Sequence, residues 1–237
     1  MIDPTRVQAI CFDVDGTLSD TDDLLVEKLA RFLKPIQILF PRAEIASFSR
    51  RFLMAVEAPG NFLIGLPDRI GWDDEIFSLV DRISRSTQSK PRVQKVISGV
   101  QGMLAELHQH YPLAVVSARD ERTTRMFLDS SELTPYFKCI ATALTCQHTK
   151  PFPDPIIWAA EQMKVPADAC LMVGDTVVDI RAGGSAGAQT VGVLCGFGEQ
   201  EELVRNGTGM ILKTTADLVG LLSNPSATDR HDGRISS

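Results

Sequence analysis

The sequence predicts an α/β fold, a parallel β-sheet flanked by helices with a helical module inserted after the first strand. Three observations carry this expectation. Short apolar runs alternate with amphipathic stretches from about residue 96 onward, the pattern of a parallel sheet with helices on both faces. A long stretch between the first and second strand-like runs has helical periodicity instead. Three of the runs end on a polar residue, Asp13, Ser117 or Asp175, and in such sheets ligands bind outside the carboxyl ends of the strands.

Taken in order, Val7 to Phe12 is a short run with β-branched content that favours a buried strand. Gly16 and the polar stretch Thr17 to Asp23 break it. From Leu24 to about Ser89 the spacing predicts helices: Leu25, Leu29, Phe32 and Leu33 share one face, and Ile45, Phe48, Phe52 and Val56 share another. Asp73 or Asp74 can cap a third helix carrying Ile76, Val80 and Ile83. Pro35, Pro41, Pro59-Gly60 and Pro67 punctuate these segments. Val100, Met103, Leu104 and Leu107 line the next helix. Strands follow at Leu113 to Val116, Cys139 to Ala143, Ala169 to Val173 and Thr190 to Val193, with a further edge strand at Gly209 to Leu212. Helices fall at Asp120 to Ser130, around Ile156, Ala160 and Met163, at Asp179 to Ala186, and at Ala216 to Leu222. Residues 225–237 are rich in Ser, Asp, Arg and Gly, and disorder is expected there.

The 237 residues suffice for one large domain with an inserted subdomain. A net charge of −6 argues against nucleic acid or an anionic membrane surface as the main partner. It leaves room for a small anionic substrate, because a local cation can reverse the field inside one cleft. The five cysteines, Cys11, Cys139, Cys146, Cys170 and Cys195, include no C-x-x-C pair. They read as reduced thiols of a cytoplasmic protein, with Cys11, Cys139 and Cys170 as buried filler. No signal peptide or transmembrane run is evident.

The segment Asp13-Val14-Asp15-Gly16-Thr17 carries the most chemical information. Two carboxylates two residues apart at a strand end point the same way if the strand continues. Their repulsion is relieved by a cation between them. A hard divalent ion fits, and magnesium fits best where phosphate is the other ligand. Gly16 permits the sharp turn that follows. The alternative is a solvated acidic turn. Asp175, past another strand, can complete the metal site, with Asp179 one helical turn away. The alternative there is a helix N-cap with an acidic first turn. Ser117 and the following Ala118 backbone N–H can cradle phosphate oxygens, or simply form a strand-to-helix turn. Lys150 opens the stiff stretch Lys-Pro-Phe-Pro-Asp-Pro and can aim a charge at a phosphoryl group. The alternative is an exposed loop lysine.

In order along the chain, these motifs resemble those of the haloacid dehalogenase superfamily of phosphohydrolases: Asp13-Val-Asp-Gly-Thr-Leu, Ser117 after a strand, Lys150-Pro, and Gly-Asp175-x-x-x-Asp179. The phosphoglycolate-phosphatase-like branch is the nearest in pattern, with Lys-Pro-x-Pro-x-Pro at Lys150 to Pro155. The resemblance implies a Rossmann-like core over residues 1–18 and 96–224, with a five-stranded parallel sheet, and a helical cap over residues 19–95. It implies magnesium as cofactor and a small phosphorylated metabolite as substrate, in a monomer or homodimer. Asp13 would be the nucleophile and a metal ligand. Asp15 would be the acid/base, its backbone carbonyl also touching the metal. Ser117, Ala118 and Lys150 would hold the transferring phosphoryl group. Asp175 would bind magnesium, and Asp179, Gly16 and Thr17 would support the site.

Within that family, Asp20-Thr21 and Ser117-Ala118-Arg119 depart from the commonest residues. Arg119 can reach a distal anionic group, but the expectation is a solvated arginine at a helix start. Arg50, Arg51 and Arg69 are candidates for binding an anionic leaving group, while Trp72, Phe62 and the Met54 region read as cap core. His108, His110, His148 and His231 show no metal-ligand spacing, and His148 reads as a solvated loop residue. The competing functions are a sugar phosphomutase of the β-phosphoglucomutase type and a non-catalytic phosphate-binding regulatory module. A dehalogenase or phosphonatase is disfavoured by Asp15.

Overall fold

Period-two alternation within the strands builds a core on both faces of the sheet. A computed structural model describes residues 2–20 and 95–223. In chain order their elements are β1 (Ala9–Phe12), β2 (Ser19–Asp20), β3 (Lys95–Val96), α1 (Val100–Leu107), β4 (Leu113–Val116), α2 (Glu121–Ser130), β5 (Phe137–Ala141), α3 (Asp154–Met163), β6 (Cys170–Gly174), α4 (Val177–Ser185), β7 (Gln189–Val193), α5 (Gln200–Arg205), β8 (Met210–Leu212) and α6 (Leu218–Ser223).

The main sheet has the strand order β5-β4-β1-β6-β7-β8, and every pairing in it is parallel. It therefore has six strands where five were expected. The sixth is the short run Met210–Leu212, which pairs with β7 and stays half-buried at the edge. The order reverses direction at β1, between β4 and β6. This is the switch point at which such sheets open a crevice for ligands.

Ile10 and Phe12 of β1 face one core layer, while Ala9 and Cys11 face the other. β4 and β6 alternate in the same way: Leu113, Val115, Leu171 and Val173 join the first layer, and Ala114, Val116, Cys170 and Met172 join the second. The first layer is covered by α1, through Val100, Met103, Leu104 and Leu107, and by Leu218, Leu221 and Leu222 of α6. The second layer is built of smaller side chains and takes α3, through Ile156, Ala159, Ala160 and Met163. Each large apolar side chain buried in this way contributes about 1.5–3 kcal/mol.

Helix starts follow local capping chemistry. Asp120 caps α2 by accepting a hydrogen bond from the Thr123 N–H. α4 begins two residues earlier than the spacing predicts. Thr176 is its N-cap and Asp179 its third residue, joined in a capping box. Among the described residues no helix is long and apolar enough to cross a membrane. All five cysteines are free, with Cys11 and Cys170 buried as expected and Cys139 half-buried. The expected cap helices, with Arg50, Arg51, Arg69, Trp72, Phe62 and Met54, lie outside the described residues, as do residues 225–237.

Candidate active site

Three adjacent strands deliver the candidate residues. The Asp13 N–H donates to the Val173 carbonyl at 3.0 Å, extending the β1–β6 ladder by one residue. The Ser117 N–H does the same to Ala141 at 2.9 Å, beyond β4. Asp175 follows β6 directly. The chain then leaves β1 by a tight turn in which the N–H groups of Leu18 and Ser19 both donate to the Val14 carbonyl. Gly16 sits in this turn at φ 71°, and a Cβ there would overlap the Asp175 carboxylate.

Lys150 lies at the centre. It is only 3% exposed, which disposes of the alternative of a solvated loop lysine. Its Nζ donates to Asp13 Oδ1 and to Asp179 Oδ1, each at 2.6 Å. Asp179 Oδ2 accepts from the Thr176 N–H at 3.0 Å and from the Thr176 hydroxyl at 2.7 Å. Both Asp179 oxygens are thus engaged, and that carboxylate fixes the lysine head. The α4 start therefore does two things at once, capping a helix and orienting a cation.

Asp175 is fully buried. Its Oδ2 accepts from the Phe197 N–H at 2.7 Å, while its Oδ1 has no hydrogen-bond partner. Oxygens of Asp13, Asp175 and Asp179 all lie within 4.8 Å of one another. With all three buried carboxylates ionised, one ammonium would leave two negative charges uncompensated. Burial pushes the Asp13 carboxyl up from 3.8 to about 7; the nearby Asp179 and Asp15 add to this and Lys150 opposes it. Burial also pushes Asp175 well above the usual range, with Asp179 and Asp13 adding to the effect. On Lys150, burial works against the charge, but the two carboxylates outweigh it and hold the ammonium. The excess negative charge, the all-oxygen donor set and the orphaned Asp175 Oδ1 fit a hard divalent cation.

Asp15 is placed differently from Asp13. The strand ends at Phe12 and the Gly16 turn follows, so the two carboxylates do not straddle one ion. Asp15 instead forms a bidentate ion pair with Arg119, which donates from Nε and Nη2. Arg119 is therefore not the solvated helix-start arginine expected from the sequence. His148 is the solvated loop residue expected, its side chain 42% exposed and its Nδ1 2.9 Å from Asp154 Oδ1.

Ser117 is buried, its Oγ accepting from the Arg119 N–H at 3.2 Å. Thr17 is also buried. Its carbonyl accepts from the Thr215 hydroxyl at 2.6 Å, which ties the first turn to the last helical segment. A loop absent from the sequence-level candidates, Cys195-Gly196-Phe197-Gly198, packs directly on Asp175. Added Cβ atoms at Gly196 and Gly198 would overlap Asp175 atoms. The signal available for it was a Gly-x-Gly, Gly196-Phe197-Gly198, shortly after the Thr190–Val193 run.

The chain belongs to the haloacid dehalogenase-like hydrolase family, whose model matches residues 10–193. It is similar to the pyrophosphatase PpaX of Anoxybacillus flavithermus, at 29% identity over 221 residues, covering 92% of this chain and 97% of that protein. Its fold is that of a haloacid dehalogenase-like hydrolase from Streptococcus pneumoniae, with a TM-score of 0.68 at 23% identity over 91% of this chain and 98% of the other. A predicted phosphoglycolate phosphatase from Haemophilus somnus shares it too, with a TM-score of 0.65 at 20% identity over 91% and 98% of the two chains.

Proposed function

We propose that this protein is a magnesium-dependent phosphatase that hydrolyses a small phosphate ester through a phosphoryl group carried on Asp13. The observation that carries the reading is the buried Asp13–Lys150–Asp179 array beside the unpartnered Asp175 Oδ1, all at the carboxyl ends of the central strands. The family membership and the similarity to a pyrophosphatase support the same chemistry.

Asp13 attacks phosphorus in line, and the bond from phosphorus to the leaving oxygen breaks. Asp15 gives that oxygen a proton. A water then attacks the phosphorylated Asp13 at phosphorus, Asp15 takes the proton, and free phosphate leaves as Asp13 is restored. The covalent step divides one hard displacement into two. Lys150, the Ser117 hydroxyl and the Ala118 N–H hold the phosphoryl oxygens, since this chemistry depends on positioning and charge stabilisation. Asp13, Asp175 and the Asp15 carbonyl would hold magnesium, which offsets the charge of the phosphoryl oxygens when bound. Residues 19–95 form the cap in this proposal and select the leaving group. Five free thiols fit a cytoplasmic setting.

Phosphate release from a panel of small esters and inorganic pyrophosphate tests the reading, with magnesium and with chelator. Magnesium-dependent release supports it. Isomerisation of a sugar phosphate without release would favour a mutase, and no turnover of any panel member would leave a binding module.

A further inference from the structure

Both oxygens of the Asp15 carboxylate are engaged by Arg119, a pairing that competes with any proton transfer between Asp15 and a leaving group. This ion pair is built rather than incidental. The Arg119 N–H is bound to Ser117 Oγ, and its carbonyl accepts from the Ala143 N–H at 2.9 Å. The turn that presents Ser117 therefore also presents the guanidinium. Both side chains of the pair are 18% exposed, so the pair is partly open to solvent, unlike the buried Asp13, Lys150 and Asp179. For Asp15 to act as acid and base, Arg119 has to be drawn off. A guanidinium fork is released most readily to another planar or tetrahedral anion that accepts two hydrogen bonds, a carboxylate or a phosphate.

We propose that Arg119 is a specificity-determining residue that binds a second anionic group on the leaving-group side of the substrate, and that its exchange from Asp15 to this group frees the Asp15 carboxyl. The inference rests on the phosphatase reading above. It restricts the substrate to small phosphates whose second phosphate or carboxylate lies within a few bonds of the scissile oxygen, because Arg119 and the leaving oxygen must both lie within reach of one aspartate side chain. Substrate binding and release of the acid/base are then one event. Esters lacking the second anion leave Arg119 on Asp15 and are turned over poorly.

The test compares kcat and KM for inorganic pyrophosphate, phosphoglycolate and p-nitrophenyl phosphate in wild type, Arg119→Ala and Arg119→Lys. In wild type, one or both of the two-anion substrates is preferred; pyrophosphate identifies a phosphate as the second group and phosphoglycolate a carboxylate. In Arg119→Ala, kcat/KM for the preferred substrate falls about 10–100-fold relative to p-nitrophenyl phosphate, chiefly through KM. Arg119→Lys recovers part of the loss, since a point charge replaces the fork. The two substrate classes are measured on the same preparation, so a loss of folded protein cancels in the ratio. An equal loss on both classes, or none on either, overturns the inference while leaving the phosphatase reading standing. Failure of wild type to release phosphate from any of the three overturns both.

Discussion

Asp13 is buried beside a lysine and two further carboxylates, and this residue-scale conflict has a measurable consequence. Its carboxyl is pushed up to about 7 from 3.8, so between those values the folded state binds a proton that the unfolded state has lost. The stabilisation is complete below about pH 4 and disappears as pH rises through about 7. In chelator, wild type should therefore lose more thermal stability between about pH 5 and about pH 8 than Asp13→Asn, by a difference on the order of a few kcal/mol. Melting curves of both proteins across that range check this, and parallel pH profiles would contradict it. The residues that make this conflict were legible in the sequence because Asp13 and Asp175 each directly follow an apolar strand run, and Lys150 precedes a run of prolines. The Arg119–Asp15 pair was not. It joins positions 104 apart, and nothing local to either residue signals the other.

At the scale of elements, the strands were legible where a run of four or more apolar residues is buried on both faces of the sheet, as in Leu113–Val116, which lies where the sequence predicts. The pair β2–β3 was not legible, because two-residue strands carry no pattern; Ser19 pairs antiparallel with Val96, and Asp20 with Lys95. α5 escaped for a similar reason, since its six residues contribute only one buried side chain, Leu203. The loop Cys195–Gly198 is the element whose role was least visible. Its glycines are required by contact with Asp175, a constraint set in three dimensions. Gly196→Ala places a Cβ against Asp175 Oδ2 and should displace that carboxylate. Magnesium affinity, read by calorimetric titration, is expected to fall about 10–100-fold, the usual cost of disturbing the groups that orient a ligand. Wild-type affinity in this variant would remove Asp175 from the metal site.

For the whole molecule, the sheet order explains why residues scattered from position 13 to position 179 meet. β1 is central, β4 and β6 flank it on either side, and Asp13, Ser117 and Asp175 each follow one of these strands. The overall α/β architecture was legible from alternation alone. The sixth strand was visible as a candidate, but the family resemblance set the expected count at five. The net charge of −6 disfavours anionic partners in bulk, yet the centre of the site holds a buried lysine, and a divalent cation would reverse its remaining negative field. The central claim, that Asp13 carries the phosphoryl group, is tested most directly by acid-quenching wild type during turnover with magnesium and mapping the phosphorylated peptide by mass spectrometry. One phosphoryl group on the peptide containing Asp13, absent in Asp13→Asn, is the predicted result. Steady turnover with no phosphorylated Asp13 at any quench time, or turnover at the wild-type rate in Asp13→Asn, would contradict it.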